Sequence, residues 1–173
     1  LSELMARDTA APVLSAQSAQ FEVEEAFDSF AGIRNAERGL NDDYLRHVAS
    51  VAVRHAAEAN AASGTPVDTL VFVPGVREVE RVCSQIAAAG VPAFALHSQI
   101  SSKEQDRILG EPEPGSDPRI IVSTSIAESS VTVPRVHLVI DAGYAREPRR
   151  DSSRGFSGVM TVVASRSAAP QRA

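Results

Sequence analysis

Along the second half of the chain, short apolar runs alternate with segments in which apolar residues return every three or four positions. "TLVFV" (Thr69–Val73) is an almost unbroken apolar β run, the pattern of a strand covered on both faces. After a Pro74-Gly75 break, Val76, Val79, Val82, Cys83 and Ile86 recur on one helical face, and Gly90 ends the segment. "VPAFALH" (Val91–His97) predicts the next strand. Ser101 and Glu104 then stand in capping-box spacing, which predicts a helix from about Ser102. Gly110 and "EPEPGSDP" read as a solvated loop. "RIIVS" (Arg119–Ser123) and "VHLVID" (Val136–Asp141) read as a third and a fourth strand, and "VMTVVAS" (Val159–Ser165) as a fifth, followed by the start of a helix in "SAAPQRA". Upstream, Asn41 can cap a helix whose first turn holds Asp42 and Asp43, with Leu45, Val48, Ala52, His55 and Ala56 recurring until Gly64. Residues 1–40 carry weaker signals: a strand around Phe21–Phe27, and otherwise connection.

Strands alternating with helices at this spacing predict an α/β fold, a doubly wound and mostly parallel sheet with helices on both faces. Ligands of such sheets sit at the carboxyl ends of the strands. Four loops would then share one rim: Pro74-Gly75, His97-Ser98, Thr124–Thr132 and Asp141–Tyr144. The third loop is the most unusual stretch of the chain. In "TSIAESSVTVP" the hydroxyls of Thr124, Ser125, Ser129, Ser130 and Thr132 surround one carboxylate, Glu128. Their amides and hydroxyls suit a bound phosphate, and they equally suit helix capping; on chemistry alone both readings stand. His97, at a strand end, fits either a rim position or a satisfied structural histidine.

Composition narrows the classes. The 173 residues suffice for one domain with a sizeable core, and the 43% hydrophobic content is ordinary. No apolar run approaches the ~20 residues of a membrane span, so no membrane association is expected, nor does the N-terminus read as a signal peptide. The chain opens on "LSELMARD" and reads as a piece of something longer; a cytoplasmic home is the default expectation. The single cysteine, Cys83, excludes an internal disulfide and reads as a buried thiol. The net charge of −5 argues against a generally basic nucleic-acid binder. The charge is uneven, however. Residues 1–68 carry 5 Lys+Arg against 11 Asp+Glu, whereas residues 141–173 carry 6 against 3, so one end offers a face that could meet phosphate. A phosphate-binding P-loop is absent: none of the ten glycines precedes a lysine, and the one lysine, Lys103, lies in a predicted helix. The spacing of the four histidines suggests no metal site.

The order "TLVFVPGVREVE", "ALHSQISSKEQDRIL", "RIIVSTSIAESSVTVP", "HLVIDAGYAREPRRD" and "SRSAAPQRA" closely resembles the second RecA-like domain of DEAH/RHA-type superfamily 2 RNA helicases, most of all the bacterial HrpB type. The resemblance covers about residues 67–173. It implies that residues 1–66 are the tail of a first RecA-like domain with its connection, and that 67–173 form the second, ending inside motif VI. It further implies that Thr124 contacts an RNA phosphate and that Pro74 and Gly75 approach the RNA backbone. Ser130 and Thr132 would face the nucleotide, and Gln171 would lie near the γ-phosphate and attacking water. Glu128, Asp141 and Gly143 would shape turns, and Arg172 would be structural. Ser129 departs from the threonine common in the family, and Pro170 from a polar residue. The implied ligands are ATP with magnesium, held mostly by the first RecA-like domain, and single-stranded RNA, with DNA as the alternative. On that reading the residues present supply one wall of an ATP cleft and half of a nucleic-acid track, and are inactive alone. A helicase-like binding scaffold without ATP coupling is the competing reading.

Overall fold

The structure is a computed structural model that describes residues 23–36, 39–124, 133–151 and 156–164. A two-residue ribbon, β1 (Asn35–Ala36) with β2 (Gly39–Leu40), leads into α1 (Asp42–Ser63). The body follows as β3 (Asp68–Phe72), α2 (Val76–Ala88), β4 (Ala93–Leu96), α3 (Ser102–Leu109), β5 (Ile120–Ser123) and β6 (Val136–Asp141). A hairpin of β7 (Tyr144–Asp151) and β8 (Phe156–Val163) completes the described chain.

The four central strands form a parallel sheet in the order β4-β5-β3-β6. The chain moves outward from β3 to β4 through α2, then back to β5 through α3. Right-handed crossovers in opposite directions place their helices on opposite faces. The packing shows this. Val71, Val73, Ile120 and Val122 point to the face covered by α1 and α2, while Leu70, Phe72 and Ile121 point to the face where Ile108 of α3 lies. β3 is buried at every position, which explains why its run from Leu70 to Phe72 is apolar without alternation.

The helix signals in the sequence act as anticipated. Asn41 Oδ1 accepts from the Asp43 amide at 2.8 Å, and Gly64 ends α1 with φ of 69°. Ser101 Oγ accepts from the Glu104 amide at 3.2 Å at the start of α3. Leu45, Val48, Ala49, Ala52 and Ala56 of α1 pack into the same core as β3 and α2. α1 and the sheet thus share one core. His55 lies at the margin of that face, its ring nitrogen 2.8 Å from Glu58. Cys83 packs against this core, and burial pushes its thiol up to about 11.

Two expected elements differ. Residues 23–27 of the expected strand at 21–27 are not in a sheet, and Phe27 is 94% exposed, so no partner edge rewards their alternation. The expected fifth parallel strand is instead β8, antiparallel to β7 in a separate two-stranded hairpin. β7 escaped prediction because "YAREPRRD" has five charged residues, two before Pro148 and three after it, and no apolar run. A ribbon outside the main sheet needs neither two buried faces nor an amide at every ladder position.

At the amino end of the sheet a carboxylate is wholly buried. Asp68 accepts from the Arg119 amide and Nε, each at 2.8 Å, and from Arg135 Nη2 at 2.7 Å. Both arginines donate further to backbone carbonyls, of Ile108 and of Ser116 and Asp117. Removing the carboxylate leaves two part-buried guanidiniums without their counter-charge. Asp68→Ala is expected to cost about 3–5 kcal/mol in chemical denaturation, whereas Asp43→Ala, removing an exposed pair with Arg46, is expected to cost under ~1 kcal/mol. The raised Cys83 pKa keeps the thiol neutral, so alkylation by iodoacetamide near neutral pH should run roughly a hundredfold slower than for an ordinary exposed thiol. The rate should climb as pH rises toward 11; fast alkylation at pH 7 contradicts this.

Candidate nucleic-acid and nucleotide rim

The four parallel strands end level. Leu96 pairs with Ser123, Ser123 with Phe72, and Phe72 with Asp141, so a single row crosses the sheet. One residue further on, the backbone still laces the strands together. The amides of Thr124, Val73 and Ala142 donate to the carbonyls of Leu96, Ser123 and Phe72 at 3.2, 2.9 and 3.0 Å. The rim therefore inherits its shape from the sheet, and the four predicted loops do depart from one edge. The loop after β3 leads to the α2 face, whereas Val133, beyond the loop after β5, packs on the α3 face. Ligands of parallel α/β sheets usually sit outside such a carboxyl edge.

Each predicted residue within the described chain has a definite place. Thr124 is half-buried at the end of β5; its amide is used by the Leu96 carbonyl, and its own carbonyl accepts from Ser123 Oγ at 2.8 Å. Pro74 and Gly75 form the turn between β3 and α2, with Gly75 as the helix N-cap in an extended conformation and no side-chain cap. The close approach at Gly75 is to the protein itself. A Cβ there would lie 2.5 Å from Nε and 2.6 Å from Cζ of Arg146, and 2.7 Å from Glu78 Oε2. Asp141 Oδ1 accepts from the Gly143 amide at 2.8 Å, and Gly143 has φ of 73°, so the two residues close a tight turn that favours glycine. His97 is buried, and its Nδ1 accepts from the Gln99 amide at 3.3 Å, which leaves the ring proton on Nε2. Ser130, Thr132, Glu128 and Gln171, with Ser129 and Arg172, lie outside the described residues.

Three further residues organise the rim: Tyr44 and Glu78, which the sequence reading did not single out, and Arg146, one of the arginines that make the C-terminal end positive. Tyr44 of α1 reaches across and donates its hydroxyl to the Ala142 carbonyl at 2.8 Å. Its ring packs edge-on against Phe30 and Tyr144, with the Arg34 guanidinium 5.9 Å from its centroid. Burial raises the Tyr44 pKa, the Arg34 charge opposing it, so the phenol stays a donor. Glu78, in the first turn of α2, is fully buried, and Arg146 of β7 donates to its Oε2 at 3.5 Å. The sequence held a signal for Glu78: a carboxylate four residues before Val82, inside an apolar helical face. Tyr44 carries no comparable mark, and the charge pattern that includes Arg146 does not reveal its partner, because both roles depend on where α1 and β7 meet the rim.

Among the described residues no group of His, Cys, Asp and Glu is arranged to hold a metal ion. No described helix is long and apolar enough to cross a membrane. A broad groove lined by Pro66, Glu111, Glu113, Pro134 and Arg135 opens at the amino end of the sheet, away from the rim.

Comparison with known proteins agrees with this architecture. The chain is 32% identical over 162 residues to the ATP-dependent RNA helicase DEAH11, chloroplastic, of Arabidopsis thaliana, across 93% of this chain and 9% of that protein. It is 36% identical over 106 residues to the ATP-dependent RNA helicase TDRD9 of Danio rerio, across 60% of this chain and 8% of that one. The chain thus spans less than a tenth of the length of either relative. In three dimensions it matches the crystal structure of the E. coli DExH-box NTPase HrpB with a TM-score of 0.60 and 29% identity, over 72% of this chain and 15% of that one. The sheet is thereby identified as RecA-like. The profile of the helicase conserved C-terminal domain matches residues 51–155, more than half of the chain, and the protein belongs to that family.

Proposed function

We propose that this domain works within an ATP-dependent RNA helicase, as one wall of an interdomain ATP cleft and half of a track for single-stranded RNA. The observation that carries the reading is the level row of strand ends, which gathers the Pro74-Gly75 turn, Thr124 and the Asp141–Gly143 turn on one edge. Those are the positions that the helicase resemblance assigns to nucleic acid and to turn geometry.

Thr124 supplies a hydroxyl at the sheet edge, and Pro74-Gly75 a neighbouring turn on which the Arg146 guanidinium lies. Contacts of this kind go to phosphate and sugar, which fix position and tolerate any sequence. Ser130, Thr132 and Gln171 serve the nucleotide side. The magnesium that accompanies ATP would be held mostly by the first RecA-like domain. Two separately held walls allow hydrolysis to change the gap between them and so move the grip on RNA. Binding of a polyanion by an acidic protein should weaken steeply with salt.

The test is ATP hydrolysis by the full-length protein with and without single-stranded RNA. RNA should stimulate the rate. Thr124→Ala, removing one hydrogen bond to a charged oxygen, about 1.5–3 kcal/mol, should raise the RNA concentration for half-stimulation by roughly 10- to 100-fold. RNA binding without any stimulation would favour the scaffold reading instead, and an unaltered response in Thr124→Ala would remove Thr124 from the track.

A further inference from the structure

Two carboxylates in this domain are fully buried against arginines, and the two clusters differ in kind. On Asp68, the guanidiniums of Arg119 and Arg135 are 13% and 19% exposed, bonded at 2.8 and 2.7 Å, and each donates further to a backbone carbonyl, while Arg119 Nη2 is buried without a partner. That cluster is turned inward. At the rim, Arg146 is 42% exposed and makes one long bond to Glu78, at 3.5 Å. Oε1 of Glu78 accepts no hydrogen bond, its nearest cation being Arg77 Nη1 at 3.7 Å. This second cluster is open toward solvent.

Beside it, Arg77 and Arg81 pair with Asp42, and Arg77 also approaches the Glu78 carboxylate. The guanidinium of Arg146 lies on the backbone of Gly75, where any side chain would displace it. It is thus fixed at the turn between β3 and α2, on the same edge as Thr124.

We propose that Arg146 is a contact for a backbone phosphate of single-stranded nucleic acid, and that Glu78 is the residue positioning it over Gly75. The proposal rests on the helicase reading above and adds a residue to its RNA track. The buried carboxylate anchors one edge of the guanidinium, and the glycine backbone supports its plane. With only one long bond to Glu78, the part-exposed guanidinium offers a phosphate the planar fork of donors that an ammonium group cannot supply.

The experiment is fluorescence anisotropy of the full-length protein with labelled oligouridylate and with a mixed-sequence RNA, over a series of salt concentrations. Removing Arg146 alone would strand the Glu78 charge, so the comparison is Glu78→Gln/Arg146→Gln against Glu78→Gln. The double variant should show a log-affinity against log-salt slope shallower by about 0.7, one single-strand phosphate, and an equal loss for both RNAs. Glu78→Gln itself should keep the full slope and lose affinity several-fold. An unchanged slope in the double variant, with unaltered thermal midpoint, overturns the phosphate contact and leaves the helicase reading intact. A loss seen in the nucleotide KM, with RNA slope unchanged, assigns the guanidinium to nucleotide phosphate and also overturns it. Unaltered affinity in Glu78→Gln overturns the positioning role. No RNA binding by the unsubstituted protein overturns the underlying reading, and this one with it.

Discussion

A carboxylate with no solvent exposure sets the alignment on which the rest of this domain depends. Asp68 begins the central strand and binds Arg119 at the start of β5 and Arg135 just before β6. A register slip between these strands would pull one of the arginines from a charge that cannot reach water, and a lone buried charge costs several kcal/mol. The backbone reinforces the alignment: Asp68 donates its amide to the Arg135 carbonyl, and Arg135 adopts φ of 66° to present it. Strands pinned level at one end, and of similar length, come out nearly level at the other.

That level edge makes the rim a single surface rather than four independent loops. Hydrogen bonds between successive strand ends extend one residue beyond the sheet. Tyr44 then ties α1 to the turn after β6, and Arg146 ties the hairpin to the turn after β3. A load applied to any one of these turns is shared by the sheet and both layers around it. The two ends of the sheet also divide their tasks. The amino end turns its guanidiniums inward onto Asp68, whereas the carboxyl end keeps one partly exposed.

Much of the body was legible in the sequence because its signals are local. Asn41 and Ser101 mark helix starts, Gly64 a helix end, and the apolar runs at Thr69–Val73 and Arg119–Ser123 mark strands that must be covered on both faces. The hairpin was not legible, since a ribbon outside the core imposes no apolar pattern and β7 is charged and interrupted by Pro148. The same limit applies to the site. The Asp141–Gly143 turn is written into neighbouring residues. The Glu78–Arg146 pair joins positions 68 residues apart, and no periodicity connects them. Gly75 was read as room for a ligand; in the folded protein that room is taken by the arginine.

The central claim is that the carboxyl-end rim, and not another surface, receives the phosphates. Hydrogen exchange of the full-length protein, with and without single-stranded RNA and a non-hydrolysable ATP analogue, tests it most directly. The account predicts slowed exchange in residues 73–79, 124–132 and 142–146, with the amino-end loops at 110–118 and 134–136 unchanged. Slowed exchange confined to those amino-end loops, or none in the rim segments under saturating RNA, would contradict it.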